Sequence, residues 1–179
     1  HWVAKPAAMV FAMVAVAASA RLASAGGRFS LNRPQALLLL ALLCSLTGDV
    51  FLMVPGHFIA GLVSFLLAHV GYVVLFGLGA PWFGHRRALA AALGLGAGMY
   101  AFLWWGGLPA ALRGPVAAYV LVIALMAAQA IGRATVLRDA PSLLVALGAG
   151  FFMLSDSLLA TNRFVTPLPG SQVWVLGTY

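Results

Sequence analysis

Long runs of apolar residues alternate along the chain with short segments that contain arginine, proline and glycine. Each run approaches the roughly 20 residues that an α-helix needs to cross the hydrocarbon core of a bilayer. Strands of a transmembrane β-barrel would instead alternate apolar and polar residues over about ten positions. The pattern therefore predicts an all-α fold, in which residues 1–179 form a single domain, a polytopic bundle of transmembrane helices.

The breaks between the runs carry turn-forming residues such as Pro55-Gly56 and Arg113-Gly114-Pro115, and they place the helix ends. About seven spans are predicted, at 7–24, 35–54, 57–79, 88–107, 115–132, 142–161 and, incompletely, 171–179. Lys5 followed by an apolar run resembles a signal peptide. That run is about 18 residues long and further spans follow it, so a first transmembrane helix is the better interpretation. The chain begins without methionine and ends inside an apolar run, so we expect a fragment.

Composition supports the membrane interpretation and excludes two other classes of protein. Hydrophobic residues make up 64% of the chain and charged residues only 7%, whereas soluble domains are roughly 25% charged. Disordered chains need low hydrophobicity, so that class is excluded as well. The single cysteine, Cys44, excludes a disulfide scaffold.

The net charge of +7 is explained by arginines in the predicted loops, and it does not indicate a nucleic-acid partner. Seven of the ten basic residues fall on the side opposite the N-terminus, which predicts that this side is cytoplasmic. The Ala-, Gly- and Arg-rich composition is typical of a GC-rich bacterial genome. We therefore expect an integral protein of a bacterial cytoplasmic (inner) membrane.

Two of the three acidic residues, Asp49 and Asp156, fall inside predicted spans. An ionisable residue at this depth costs roughly 2.5–3.5 kcal/mol on insertion scales, which usually indicates function. Each acid precedes the predicted end of its helix by five residues, or ~7.5 Å, and both helices run in the same direction. We therefore expect the two carboxyl groups at one level of the bilayer. The third acid, Asp139, falls in a predicted loop and is expected to be solvated.

Other polar side chains are predicted near the two acids. Ser64 and Tyr179 are expected about 10 and 12 Å deep from the same side, and His69 about 18 Å deep. His69 shares a helical face with Phe65 and Tyr72. It is either a core histidine bonded to a carbonyl or the floor of a cavity containing the acids. Arg163 is either an interfacial anchor or a ligand for a lipid phosphate.

The remaining pattern excludes several chemistries. The four histidines do not combine into a zinc site with three ligands and a water, and no phosphate-binding loop, dinucleotide fingerprint or serine elbow is present. We expect no metal and no cofactor. What remains is a pair of carboxyl groups in a low-dielectric environment, which can supply a general acid and a general base.

The residues around these polar positions resemble the YhhN family of membrane proteins, which includes the lysoplasmalogenases. The matching motifs are GDVFLM at 48–53, F-x-x-G-x-x-x-F-x-x-A-H-x-x-Y at 58–72, GAGFF-x-x-SD-x-x-LA-x-x-RF at 148–164 and WVLGTY at 174–179. Family members have about eight spans. The resemblance thus implies that the end of the seventh helix and the whole eighth helix are missing here.

The resemblance also implies an activity, which is hydrolysis of the vinyl ether bond of a lysoplasmalogen. The products would be a fatty aldehyde and glycerophosphoethanolamine or glycerophosphocholine. The acids of the family's motifs map to Asp49 and Asp156, and which of them is the acid stays open. His69, Ser64, Tyr72 and Tyr179 would orient water or the glycerol hydroxyl, and Arg163 would meet the phosphate of the lysophospholipid.

Two other classes of function compete with the hydrolase. In a lipid or small-molecule transporter, the intramembrane acids would carry protons, and the substrate would cross the membrane unchanged. In a lipid-binding or receptor-like membrane protein, a bound lipid would survive incubation intact.

Overall fold

The computed structural model describes residues 4–23 and 31–167, together with Gly177. The described residues form six α-helices: α1 (Ala4–Ala23), α2 (Arg33–Met53), α3 (Phe58–Gly77), α4 (Arg86–Trp105), α5 (Ala110–Leu137) and α6 (Ala140–Phe164). No strand occurs in the described part of the chain, which confirms the all-α prediction. Helices α2 to α6 are long and apolar enough to cross a membrane, whereas the apolar stretch of α1, Ala7–Leu22, is shorter. These helices indicate an integral membrane protein.

The count of about seven spans is not matched, because six helices are described. The helix predicted over 171–179 lies outside the described residues except for Gly177, and Tyr179 lies outside them too. The seventh span therefore stays a prediction.

The chain divides into two compact units, His1–Leu78 and Gly79–Tyr179. In the first unit α2 packs against both α1 and α3. In the second unit α5 packs against both α4 and α6, and α4 also contacts α6. The single domain predicted from the sequence stays a prediction, and each unit is described by itself.

Helix α2 begins at a capping box. The Asn32 side chain accepts a hydrogen bond from the Gln35 backbone N–H at 2.9 Å, and the Gln35 side chain accepts one from the Asn32 N–H at 3.1 Å. This reciprocal pair satisfies two N–H groups that otherwise lack acceptors at a helix start. Pro34 in the first turn loses nothing, because the N–H groups there have no intrahelical partner. The helix therefore starts two residues earlier than the predicted residue 35.

The largest error in the predicted boundaries concerns α5. The sequence predicts a helix that starts at Pro115, yet the helix runs from Ala110 to Leu137 with Pro115 inside it. A proline removes one intrahelical hydrogen bond, and transmembrane helices tolerate this because neighbouring groups satisfy the freed carbonyl. The turn chemistry of Arg113-Gly114-Pro115 was therefore misinterpreted.

Helix α6 also extends beyond the predicted range of 142–161. It starts at Ala140, directly after Asp139, whose carboxylate accepts a hydrogen bond from the Ser142 N–H at 2.8 Å. It ends at Phe164, and the Val165 N–H bonds to the Thr161 carbonyl at 3.0 Å. Asp139 is exposed, as expected, and it caps the helix in addition.

Candidate active site

Asp49 lies on the face of α2 that contacts α3. Ser45, Gly48, Asp49 and Leu52 are spaced by three and four residues and share one helical face. A side chain placed on Gly48 would collide with the ring of Phe65 on α3, because its Cβ would lie 2.6 Å from Phe65 Cδ2. Only a glycine permits this approach, which closes the helix interface around the acid. Asp49 is 2% exposed, so its carboxyl group is almost fully buried.

Helix α3 contributes an aromatic and polar row to the same unit. The rings of Phe65 and His69 have centroids 6.3 Å apart, and those of His69 and Tyr72 have centroids 6.4 Å apart. His69 is 1% exposed. The hydroxyl groups of Tyr72 and Ser45 lie 3.5 Å apart and share a hydrogen bond between α3 and α2. The predicted helical face shared by Phe65, His69 and Tyr72 is therefore present, and through Tyr72 it contacts α2.

Ser64 directs its hydroxyl group to its own helix. Its Oγ donates a hydrogen bond to the Ala60 carbonyl at 2.9 Å, which is a common arrangement for an intramembrane serine. The hydroxyl proton is thus used within α3. Ser64 retains acceptor capacity for a ligand, and its role in orienting substrate stays a prediction.

Asp156 is half-buried in α6 and accepts a hydrogen bond from a residue that is not among the predicted site residues. The Tyr119 hydroxyl group on α5 donates a hydrogen bond to Asp156 Oδ2. A buried tyrosine hydroxyl usually needs a polar partner, and Tyr119 falls within the predicted fifth span, four residues after Pro115. That position was a signal for a polar contact, but the sequence does not reveal which acid the tyrosine meets.

The equal distances of the two acids from their helix ends are not reproduced. Asp49 precedes Met53, the last residue of α2, by four residues, whereas Asp156 precedes Phe164, the last residue of α6, by eight. The matched depth of the two carboxyl groups therefore stays a prediction.

Arg163 lies in the last turn of α6 and is exposed. Its guanidinium carbon lies 5.9 Å from the centroid of the Phe164 ring. A cation at a helix C-terminus interacts favourably with the helix dipole. This position suits both of its predicted roles, the interfacial anchor and the phosphate ligand.

Gln129 is a second polar residue that the sequence analysis missed, and its role is structural. It is completely buried in α5. Its Oε1 accepts a hydrogen bond from the Phe83 N–H at 2.7 Å, and its Nε2 donates one to the Pro81 carbonyl at 3.2 Å. Gln129 thus fixes the turn before α4, where Phe83 adopts a left-handed φ of 47°.

A groove of about 290 Å³ between α4 and α5 contains none of the predicted site residues. Its lining is apolar except for Tyr100, whose hydroxyl group donates a hydrogen bond to the Arg113 carbonyl at 3.1 Å. In the described part of the chain, no three His, Cys, Asp or Glu side chains cluster as metal ligands do. The candidate catalytic and binding side chains described above are instead Asp49, His69 and Tyr72 in the first unit, and Tyr119 and Asp156 in the second.

Comparison with known proteins identifies a family model that matches the whole chain and relatives that match most of it. The model of the YhhN family matches residues 1–179. Lysoplasmalogenase TMEM86B of Sus scrofa is 36% identical over 160 residues, which are 89% of this chain and 63% of that protein. The Homo sapiens lysoplasmalogenase TMEM86B is 33% identical over 78% of this chain and 56% of its own length. A lysoplasmalogenase of Mycobacterium bovis is 32% identical over 80% of this chain and 56% of its own length.

No solved structure matches the chain. The chain spans roughly three-fifths of the length of the relatives that it matches. The family model covers every residue, and relatives from mammals and mycobacteria agree with it. The chain therefore belongs to the YhhN family.

Proposed function

We propose that the protein hydrolyses the vinyl ether bond of lysoplasmalogens, using Asp49 and Asp156 as its acid–base groups. The observation that carries the proposal is membership of the YhhN family, together with relatives at 31–36% identity that are named lysoplasmalogenases. The surroundings of the two acids support it. Asp49 is almost fully buried in α2, and Asp156 accepts a hydrogen bond from a tyrosine hydroxyl group.

Hydrolysis of a vinyl ether requires the transfer of a proton to a carbon atom, followed by the attack of water. A carboxyl group delivers a proton to the vinyl carbon β to the ether oxygen, which leaves an oxocarbenium ion at the α-carbon. A carboxylate stabilises this cation and accepts a proton from the attacking water, by analogy with two-carboxylate glycosidases. The resulting hemiacetal collapses to the fatty aldehyde and the free glycerol hydroxyl group. Water is the only co-reactant, and the two carboxyl groups together gain and lose one proton in each turnover.

The other predicted residues have proposed supporting roles. His69 and Tyr72, which lie on the inward face of α3, orient the water or the glycerol hydroxyl group. Ser64 contributes an acceptor to the same task, and Tyr179 is proposed with them on the strength of the sequence alone. Arg163 binds the lipid phosphate as a planar, permanently charged donor. The lysophospholipid enters from the bilayer, so its chain remains in hydrocarbon.

The location and the complete fold are part of the same proposal. We propose a bacterial cytoplasmic (inner) membrane, because the composition is rich in Ala, Gly and Arg and the basic residues are distributed unevenly between the two predicted sides. The intact protein would contain a seventh and an eighth span.

Aldehyde release from a synthetic alkenyl lysophospholipid tests the proposal. The purified protein is incubated in micelles with the vinyl ether lipid or with its acyl ester counterpart, and aldehyde is measured with a coupled dehydrogenase. Only the vinyl ether should react. In D₂O one deuterium should appear on the carbon next to the aldehyde, because protonation of carbon precedes water attack.

Asp49→Asn and Asp156→Asn are the critical variants, and Asp139→Asn is the matched control. Each changes a carboxyl group to an amide of similar shape. General acid–base catalysis contributes about 10²–10⁴-fold, so the first two variants should lose at least about 100-fold in kcat. Asp139 is exposed and caps α6, so its variant should retain activity. Transport of the intact lipid without aldehyde release would refute the hydrolase.

A further inference from the structure

The Tyr119 hydroxyl group makes a hydrogen bond between two helices that the proposed mechanism has not used. Tyr119 on α5 donates to Oδ2 of Asp156 on α6, and the two residues are separated by 37 positions in the chain. Two hydroxyl groups on the same helix as Asp156 bond within that helix: Ser157 donates to the Met153 carbonyl and Thr161 to the Ser157 carbonyl, both at 2.8 Å. Tyr119 differs from them because its partner is the side chain of a proposed catalytic acid.

The position of Tyr119 in α5 fixes the hydroxyl group firmly. Val116 and Ile123, which flank it at spacings of three and four residues, are each 4% exposed. Tyr119 therefore lies on the buried face of a helix that packs against both α4 and α6. On the partner helix, Ser155 next to Asp156 is completely buried. Both ends of the hydrogen bond thus belong to packed segments and not to a loop.

A carboxyl group that transfers protons must be held in one geometry. Asp156 has two side-chain torsions, and a hydroxyl group bonded to one of its oxygens restricts both. A misplacement of about 1 Å in a reacting group can cost about 100-fold in rate. A hydroxyl group can donate to a carboxyl oxygen whether the carboxyl group is protonated or ionised, and the bond is roughly twice as strong when it is ionised. Tyr119 is therefore suited to holding the group.

We infer that Tyr119 is a positioning residue for the reaction, which holds the carboxyl group of Asp156 in its working orientation through the hydrogen bond to Oδ2. This inference rests on the proposed hydrolase function. It adds a residue from α5, which the sequence motifs around Asp49 and Asp156 did not include. The bond should influence turnover far more than substrate binding, because Tyr119 acts through the acid.

Tyr119→Phe tests the inference, with Tyr100→Phe as the matched control. Both tyrosines are half-buried in the same unit and each donates one hydrogen bond, but the Tyr100 acceptor is the backbone carbonyl of Arg113. Kinetics with the vinyl ether lipid are measured on folded, monodisperse protein. Tyr119→Phe should lower kcat about 10- to 100-fold while KM changes less than about twofold, and Tyr100→Phe should leave both constants within about twofold of the parent protein.

Incorporation of 4-aminophenylalanine at position 119 separates the hydrogen bond from the ring. This residue retains the ring and supplies an N–H donor, so kcat should return to within about threefold of the parent value. It also keeps the test decisive if the phenylalanine variant does not fold. A purely structural clamp would lower the melting temperature of Tyr119→Phe without changing the kcat of folded protein. That result, or an aminophenylalanine variant as slow as Asp156→Asn, would overturn the inference.

The parent protein distinguishes this inference from the function on which it rests. If the parent protein releases no aldehyde, the hydrolase proposal fails and the inference fails with it. If the parent protein and Tyr119→Phe release aldehyde at equal rates, the hydrolase proposal stands and only the role of Tyr119 is refuted.

Discussion

Replacement of Gly48 by alanine probes the contact that closes α3 over the acid-bearing face of α2. The new Cβ would lie 2.6 Å from Cδ2 and 2.7 Å from Cε2 of Phe65. Two carbon atoms prefer a separation of about 3.5–4.0 Å. The Phe65 side chain is 4% exposed, so its ring has little free space to enter. The helices must therefore separate locally by about 1 Å.

The size of the effect follows from two opposing contributions. Overpacking of this kind costs about 1–3 kcal/mol, whereas alanine in place of a helical glycine contributes about 1 kcal/mol of helix propensity. Gly94→Ala supplies the second contribution without the first, because a Cβ on Gly94 in α4 meets nothing within 4 Å. Gly48→Ala should therefore be less stable than Gly94→Ala by about 1–3 kcal/mol.

Thermal unfolding of both variants in one detergent measures this difference. For a chain of this size, 1 kcal/mol corresponds to a shift in Tm of about 2–4 °C. Gly48→Ala should also lower kcat for aldehyde release, because Asp49 is the next residue and a shift of about 1 Å can cost about 100-fold. If Gly48→Ala and Gly94→Ala have the same Tm and the same kcat, the tight α2–α3 contact does not hold the acid.

Two further predictions concern residues outside the proposed mechanism. Gln129→Leu removes the acceptor of the Phe83 N–H, so it should lower the free energy of unfolding by about 1–3 kcal/mol in thermal unfolding. A loss of less than about 0.5 kcal/mol in the free energy of unfolding would refute the role of Gln129 in fixing the turn before α4. For Asp139, the hydrogen bonds from the Ser142 hydroxyl group and backbone N–H lower its pKa below the ordinary value of 3.8. Ionised Asp139 therefore stabilises the fold above that pH, and its advantage over Asp139→Asn should shrink as the pH falls below 3.8. An advantage that is constant down to pH 2 would contradict this linkage.

The sequence predicted the helices well where turn residues coincide with the ends of the apolar runs. Helix α2 ends at Met53, one residue from the prediction, because Pro55-Gly56 follows it directly. The same rule failed at Pro115, which lies six positions into α5. A proline marks a helix boundary in water, but in a membrane the helix is the conformation that satisfies the most backbone groups. The helical state therefore prevailed over the local turn signal.

The candidate site was predictable to the extent that polar residues are scarce in the apolar runs. Asp49 and Asp156 stand out because ionisable residues are expensive in a bilayer. Tyr119 was a weaker signal than either acid, because tyrosine is amphipathic and occurs widely near membrane interfaces. Its partner could not be inferred, because the rotation of α5 about its axis depends on packing against α4 and α6. The predicted helix start at residue 115 also placed Tyr119 too close to the N-terminal end of α5, which begins at Ala110.

The hydrogen bonds of the hydroxyl groups in the apolar helices are of two kinds, those within one helix and those between two helices. Thr47, Ser64 and Ser157 each donate to a carbonyl four residues earlier in the same helix, at 2.8–2.9 Å. Such a bond uses the hydroxyl proton within the helix, so each of these residues keeps only acceptor capacity for another partner. The bonds between Tyr72 and Ser45 and between Tyr119 and Asp156 instead join side chains on different helices. An interhelical bond of this kind forms only when both helices pack in a defined register. It therefore contributes either to the specificity of helix packing or to the chemistry of the site. The tyrosines are therefore the residues at which loss of a single hydroxyl group tests the site most directly.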